Sequence, residues 1–267
     1  MKFYLIGFSG QIGSSLRRIF NQDSKQVFLL GRKPPSNDDA IIHHLQSNES
    51  FIQYDLNYPM SEKEIDINDD CTVIHCAHDF DFNGSLEDST NLIGTLSLVN
   101  CFLKCKSTKF IYLSTPYDLS TTSRASFYQE QKIAIEKIFN QDRDLIISPS
   151  YLFSKDSKTT DLLRFFQKLK LPIPIPSKIN KIAPINLEDF SSIIYSSLIS
   201  KNICGKYLII GSKEQSFKLF LETHYQIKSF QLPSFLFRFI ATLLKILTFN
   251  YLSERLLGLL NLPNLKK

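Results

Sequence analysis

The apolar run Phe3-Tyr4-Leu5-Ile6 feeds directly into Gly7-Phe8-Ser9-Gly10-Gln11-Ile12-Gly13, where glycine recurs at every third position. Glycine at such places lets a strand turn sharply into a helix and lets backbone come close to a neighbour or ligand that a Cβ would hold off. A helix entered this way offers unpartnered N–H groups and the positive end of its dipole, which favours an anion and above all a pyrophosphate. The spacing differs from the G-x-G-x-x-G of the common dinucleotide fingerprint, and the alternative is that the glycines only shape a turn. On the first reading Gly7, Ser9, Gly10, Gln11, Ile12 and Gly13 are cofactor contacts.

Strand and helix signals alternate through the first half. Strands are expected at Phe3–Ile6, Val27–Leu30, Thr72–His75, Phe110–Leu113 and Leu145–Ser148, and helices at Ile12–Asn21, Ser85–Lys104 and Ser126–Asn140. Such alternation predicts an α/β fold, a parallel sheet covered by helices on both faces. In the long middle helix Leu92, Leu96, Val99, Phe102 and Leu103 recur with helical period and mark its core face. Pro34-Pro35-Ser36-Asn37-Asp38-Asp39 is a loop by composition. Leu171-Pro172-Ile173-Pro174-Ile175-Pro176 cannot be helix and is expected to cross between lobes in an extended form. The resulting division sets 1–150, which carries the glycine turn, against a second lobe, 151–267, partly interleaved with it.

Tyr128-Gln129-Glu130-Gln131-Lys132 puts a phenol and an ammonium four residues apart, on one face of the third helix. A nearby ammonium favours the phenolate and brings a hydroxyl of ordinary pKa about 10 closer to working pH, so that it can exchange a proton with an alcohol or ketone. A lone pair of this kind also occurs on solvated helices, so its weight comes from what accompanies it.

With these motifs together, the chain resembles the short-chain dehydrogenase/reductase superfamily, and within it the NAD-dependent epimerase/dehydratase branch that acts on nucleotide sugars. Val73-Ile74-His75-Cys76-Ala77 is similar to the strand that ends beside the nicotinamide ribose, which implies Cys76 and Ala77 as cofactor neighbours. Asn91-Leu92-Ile93-Gly94-Thr95 matches the family's N-x-x-G-T, and Phe110-Ile111-Tyr112-Leu113-Ser114-Thr115 resembles the strand carrying the catalytic hydroxyl. Ile147-Ser148-Pro149-Ser150 resembles the segment that closes over the nicotinamide, with Pro149 its contact and Ser148 where many relatives carry Arg. Ile185-Asn186-Leu187-Glu188-Asp189-Phe190 is similar to a helix start in the substrate half, and Gly205-Lys206-Tyr207-Leu208-Ile209-Ile210-Gly211 to a late strand. Glu254-Arg255-Leu256-Leu257-Gly258-Leu259-Leu260 resembles a C-terminal motif of members encoded among polysaccharide-synthesis enzymes.

The resemblance implies a Rossmann-type doubly wound parallel sheet with a small, mostly helical C-terminal substrate lobe. It also implies hydride transfer at a carbon bearing a hydroxyl or ketone. Tyr128 would be the acid/base, Lys132 would lower its pKa and hold the nicotinamide ribose, and Thr115 would bond the reacting oxygen. Ser114 takes that last role if the register slips by one. The interval of thirteen positions from Thr115 to Tyr128 is shorter than sugar-acting members commonly have and resembles single-domain members. Asn91 is implied in a proton relay or in fixing the helix, and Asp55-Leu56 resembles the segment beside the adenine, with a turn-forming Asp55 the alternative.

Where an acidic residue after the second strand would bind the adenosine ribose diol, the chain reads Leu30-Gly31-Arg32-Lys33. A carboxylate there repels a 2′-phosphate and a guanidinium holds it, so NADP(H) is preferred and NAD(H) is possible, the alternative being that Arg32 only stacks on the adenine or faces solvent.

With 31 Lys and Arg against 26 Asp and Glu and no long basic run, a nucleic-acid partner has little support. Five cysteines without a C-x-x-C and the absence of a secretory pattern at Met1 lead to an expected cytoplasmic location. Cys71, His75, Cys76 and His78 straddle a buried strand whose alternation separates them, so no metal is expected. The apolar stretch Leu232–Phe249 is interrupted by Arg238 and Lys245 and is read as a packed helix, with a membrane-interface contact or a homodimer surface as alternatives. Three functions compete: a nucleotide-sugar 4-keto reductase or 4-epimerase in surface polysaccharide biosynthesis, a reductase of a non-sugar carbonyl, and a cofactor-sensing protein without turnover.

Overall fold

The computed structural model describes residues 2–35, 45–58, 60, 65, 69–79, 85–116, 126–154, 163–164, 166–177, 181–200 and 202–246. Strands in chain order are β1 (Lys2–Ile6), β2 (Val27–Gly31), β3 (Glu49–Gln53), β4 (Asp70–His75), β5 (Ser107–Leu113), β6 (Leu145–Pro149), β7 (Tyr151–Phe153), β8 (Ile173–Pro176), β9 (Pro184–Asn186), β10 (Gly205–Ile209) and β11 (Ser229–Leu232). Named helices are α1 (Gln11–Gln22), α2 (Thr90–Phe102), α3 (Phe127–Glu136), α4 (Leu187–Ile199), α5 (Phe217–Tyr225) and α6 (Ser234–Ile246).

Seven strands form one sheet in the order β10-β6-β5-β4-β1-β2-β3, with parallel pairing from β3 through to β6. β1 sits between β2 and β4, so chain direction across the sheet reverses there, the switch point at which open α/β sheets bind ligands beyond the carboxyl ends of their strands. Register sharpens this. Leu30 pairs with Ile6, Ile6 with His75, His75 with Tyr112 and Tyr112 with Ile146, a single row along that edge.

Two compact units divide the chain: Met1–Ser114, Gln131–Ser148 and Leu187–Tyr207 in the first, and Thr115–Glu130, Pro149–Asn186 and Leu208–Lys267 in the second. On one sheet face of the first unit Tyr4, Val73, Phe110 and Tyr112 pack against Leu98, Val99 and Phe102 of α2. Tyr4 stacks on Phe28 at 4.9 Å and meets the Phe102 edge at 4.7 Å, contacts worth about 0.5–1.5 kcal/mol each beyond burial. On the other face α1 packs against α4. Phe20 meets Tyr195 edge-on at 5.4 Å, and the Tyr195 hydroxyl donates to Asp23.

The second unit has its own core of Leu163, Ile175, Phe217, Phe220 and Ile227, with Tyr151 and Phe153 packed against it. Ser216 caps α5 by accepting from the Leu219 N–H at 3.1 Å, and Gln226 ends it in the left-handed conformation.

Several expectations are corrected. α2 begins at Thr90 rather than Ser85, because the Ser85 hydroxyl donates to Asp88 and accepts its N–H in a turn of its own. Val99 and Phe102 are buried as expected, but Leu96 and Leu103 are exposed, and α2 buries Gly94, Thr95, Leu98 and Cys101 in their place. α3 ends at Glu136 rather than Asn140, and the buried Asp144 carboxylate takes the N–H groups of Asn140 and Phe110.

Within Leu171–Pro176 the residues Ile173–Pro176 are extended as β8, paired in parallel with β11 inside the second unit, rather than as a linker. Its bonds run from Ile173 N–H to Lys228 O and from Ser177 N–H to Leu232 O, so the alternation sends Pro174 and Pro176 away from the ladder and their missing donors cost nothing. The helix after Asn186 falls in the first unit, not the substrate half. β3 had no sequence signal strong enough to place it. Helix α6 buries Phe237 while exposing Phe235, Leu236, Phe239 and Leu243, so the packed-helix reading holds for one side only. No helix among the described residues is long and apolar enough to cross a membrane. His43, His44, the loop from Ser36 to Asp39 and the motif Glu254–Leu260 lie outside the described residues.

Candidate active site

Gly7 follows Ile6 with φ +80°, a conformation that only glycine adopts freely, and a Cβ there would lie 2.6 Å from Ala77 N. That close approach seats the β1–α1 turn on the chain leaving β4, whose Cys76 N–H donates to Ile6 O. A Cβ at Gly13 would lie 2.2 Å from Gly7 O, so the third glycine is what lets α1 return onto the turn. Gly10 is different: it is the N-cap of α1, no side chain caps that terminus, and the first turn carries no acidic residue. Ser9, Gly10 and Gln11 are exposed there. An anion finds the dipole and backbone donors it needs, with no carboxylate to repel it.

Arg17 and Glu49 hold this corner from beneath. Arg17 donates to the two Glu49 oxygens at 2.5 and 2.6 Å, both side chains buried, and Glu49 also accepts from Asn21 and from the Gln46 N–H. Burial pushes the Glu49 carboxyl up, but these hydrogen bonds outweigh it and hold the group below its ordinary value. β3 and α1 are thereby tied together.

Gly31 and the exposed Arg32 follow Leu30 at the next strand. Asp55 forms a turn: its Oδ1 accepts from the Asn57 N–H at 3.0 Å and from Asn57 Nδ2 at 2.9 Å. Leu56 is seated on α2, where a Cβ at Gly94 would lie 2.3 Å from Leu56 O, and Tyr54 donates to Gly94 O.

Tyr128 and Lys132, the expected acid/base pair, lie on α3 at i and i+4. Ser126 and Gln129 form a capping box, with Gln129 Oε1 accepting from Ser126 N–H at 3.0 Å and Ser126 Oγ from Gln129 N–H at 3.3 Å, which fixes where the helix starts and puts Tyr128 in its first turn. Lys132 is buried, and its Nζ donates to Leu113 O at 2.8 Å, at the end of β5, 4.8 Å from the Tyr112 ring centroid. Burial lowers its pKa from 10.5 to about 8, although Cys76 and Glu136 act the other way. His75, beside it, is driven down to about 3 by burial and by Lys132, and stays neutral. The Thr95 hydroxyl donates to Asn91 O at 2.6 Å, so it accepts from His75 Nε2 at 2.9 Å, which fixes the Nε2–H tautomer. Burial also pushes the Cys76 thiol up to about 12, an unreactive state.

Ser114 donates its hydroxyl proton to Glu136, whose second oxygen accepts from Lys206 at 2.6 Å. That proton cannot at the same time serve a reacting oxygen. Asn91 is equally committed: Oδ1 accepts from Asp79 N–H at 2.6 Å and Nδ2 donates to Asp79 O at 2.8 Å and towards Gln131 at 3.4 Å, while Gln131 donates to Ser89 at 2.7 Å. Asn91 thus ties the loop after β4 and helix α3 to the start of α2. The signals that could have found these supporting residues are the S-x-x-Q of Ser126–Gln129, which spans Tyr128, and Glu136 one turn beyond Lys132. No group of three or more His, Cys, Asp or Glu among the described residues could hold a metal ion.

Fold and site together define a dinucleotide-binding α/β enzyme with its motifs gathered on one sheet edge. The family model for the NAD dependent epimerase/dehydratase family matches residues 3–143, more than half of the 267, and the chain belongs to that family. A search of curated sequences finds no match. Among solved structures it is similar to UDP-N-acetylglucosamine 4-epimerase from Bacillus cereus (TM-score 0.66, 15% identity, covering 86% of this chain and 85% of that one). It is likewise similar to UDP-glucuronic acid 4-epimerase from Bacillus cereus in complex with NAD (0.66, 18%, 86% and 87%). A third is dTDP-glucose 4,6-dehydratase from Bacillus anthracis str. Ames in complex with NAD (0.66, 17%, 87% and 85%).

Proposed function

We propose that the chain is a cytoplasmic nucleotide-sugar oxidoreductase that works at a hydroxyl- or ketone-bearing carbon and prefers NADP(H), within surface polysaccharide biosynthesis. The observation that carries this is Lys132, a buried ammonium fixed to Leu113 O at the end of β5 and one helical turn from Tyr128. The nicotinamide supplies hydride-transfer chemistry when bound. Gly7, Ser9, Gly10, Gln11, Ile12 and Gly13 would receive its pyrophosphate, Arg32 its adenosine ribose, and Cys76, Ala77 and Pro149 its nicotinamide end. Leu56, held on α2, belongs near the adenine.

Tyr128 gives a proton to the ketone oxygen or takes one from the alcohol, and Lys132 favours the phenolate by charge. Thr115 bonds the reacting oxygen, because the Ser114 proton is engaged by Glu136. A neutral His75 adds no second positive charge beside Lys132. Asn91 and Asp55 act by position, one holding the loop after β4 and the other its own turn.

Gly31-Arg32 favours a 4-keto reductase, since a reductase draws exchangeable NADPH from the pool. Likeness to two 4-epimerases supports epimerisation as the second reading. The deciding assay incubates the protein with UDP- and dTDP-linked 4-keto-hexoses plus NADPH, and separately with UDP-hexoses and no added cofactor. NADPH loss matching keto sugar reduced supports reduction; interconversion of UDP-hexoses without net NADPH loss replaces it with epimerisation. Turnover of a non-sugar ketone alone overturns the nucleotide-sugar reading.

Phe235, Phe239 and Leu243 of α6, exposed beside Arg238, suit a membrane interface or a homodimer contact.

A further inference from the structure

The residue ending the second strand is where a carboxylate would accept hydrogen bonds from an adenosine ribose diol. Here it is Gly31, and the reason lies on the neighbouring loop. A Cβ on Gly31 would lie 2.7 Å from Phe8 Cε1 and 3.4 and 3.5 Å from Cδ1 and Cζ, closer than carbon atoms pack. The ring has little room to swing aside. Phe8 is 4% exposed, meets the Phe51 edge at 6.2 Å, and has the Arg17 guanidinium 6.0 Å from its centroid. Arg17 is itself pinned by the two bonds to Glu49, so the wall behind the ring is rigid.

We propose that Phe8 is a cofactor-specificity residue: its ring fills the space above the end of β2, bars any side chain at position 31, and leaves ribose recognition to Arg32. Phe8 thus acts at one remove. It excludes the carboxylate that would repel a 2′-phosphate, and the guanidinium next door supplies what a phosphate needs. This rests on the reading that the dinucleotide lies along the β1–α1 loop, and deepens it by naming the residue that enforces a phosphate-bearing ribose.

The test compares full-length wild type, Gly31→Asp, Phe8→Ala and the double variant, by apo melting temperature and by fluorescence titration with NADPH and NADH. Gly31→Asp alone is expected to melt lower and to leave the NADPH-to-NADH affinity ratio near that of wild type. In the Phe8→Ala background the same Asp should cost no further melting temperature and should swing the ratio towards NADH by about tenfold or more, the scale of a charge-assisted hydrogen bond. If Gly31→Asp does not fold, Gly31→Ala replaces it in the melting comparison. An equal drop with and without Phe8 overturns the steric claim. A ratio that swings as far in Gly31→Asp alone, or that the double variant does not move, overturns the specificity role. Wild type binding neither dinucleotide overturns the cofactor reading itself, a result separate from the melting comparison, which needs no cofactor.

Discussion

Replacing Lys132 by Met separates a functional ammonium from a structural one. A pKa lowered from 10.5 to about 8 means that burial costs the charged form about 3 kcal/mol in the folded protein. Met keeps the stem's volume and removes that cost, but it also removes the bond to Leu113 O, a charged hydrogen bond of about 1.5–3 kcal/mol. The two nearly cancel, so apo stability should change by no more than about 1.5 kcal/mol, about 3 °C for a chain this long. Cofactor affinity should fall about 10- to 150-fold, since donors to the ribose are worth about 1.5–3 kcal/mol.

The pH dependence has a definite sign. Below about pH 8 Lys132 is charged in both states and the burial cost is fully present; between 8 and the unfolded value of about 10.4 the folded chain releases the proton first, so stability from this group rises with pH. Wild type should therefore gain about 3 kcal/mol on Lys132→Met over that window, measured by urea unfolding without cofactor. A loss of more than about 5 °C at pH 7, with cofactor affinity unchanged, would assign Lys132 to the fold and refute the reasoning.

Tyr128→Phe should keep the melting temperature and cofactor affinity while turnover falls at least about a hundredfold, and near-normal activity would remove Tyr128 from the chemistry. Thr115→Val should lower kcat more than Ser114→Ala lowers it, while Ser114→Ala, which frees the buried Glu136 oxygen, should lower melting temperature more; the reverse pattern would return the catalytic hydroxyl to Ser114. Glu49→Gln removes the carboxylate charge from the buried pair with Arg17 and should cost about 3–5 kcal/mol. Because the Glu49 carboxyl is held below its unfolded value, wild-type stability from this group is present above about pH 4.5 and is lost as pH falls, a loss that the variant should lack when acid unfolding is followed by circular dichroism.

What the sequence disclosed and what it withheld divide along physical lines. The strands entering the row Leu30, Ile6, His75, Tyr112 and Ile146 are apolar on both sides because helices cover both faces, and that pattern needs no partner to be recognised. β3 escaped for the opposite reason: Glu49 reads as polar, and only its pairing with Arg17, 32 positions earlier, makes it a buried residue. For α4 local signals report a helix and its start, whereas the surface it covers, here α1, is a tertiary fact.

The site follows the same rule. Tyr128, Lys132 and the glycines were legible because their geometry is set by spacing within one turn or helix. The motif ranks Thr115 above Ser114 by alignment alone, and only Glu136, 22 positions beyond Ser114, shows that the Ser114 hydroxyl is occupied. Asn91 reads equally as a relay or as a residue that fixes the helix, and the choice depends on Asp79, on which both ends of its amide close. The row explains why the legible part suffices: once parallel register aligns Ile6, Leu30, His75 and Tyr112, the residues that follow each of them must emerge at one edge. Gly7, Gly31, Cys76 and Leu113 are those residues. Four short motifs spread over more than a hundred positions thus come to one sheet edge, and the long-range contacts decide which of their side chains are already engaged.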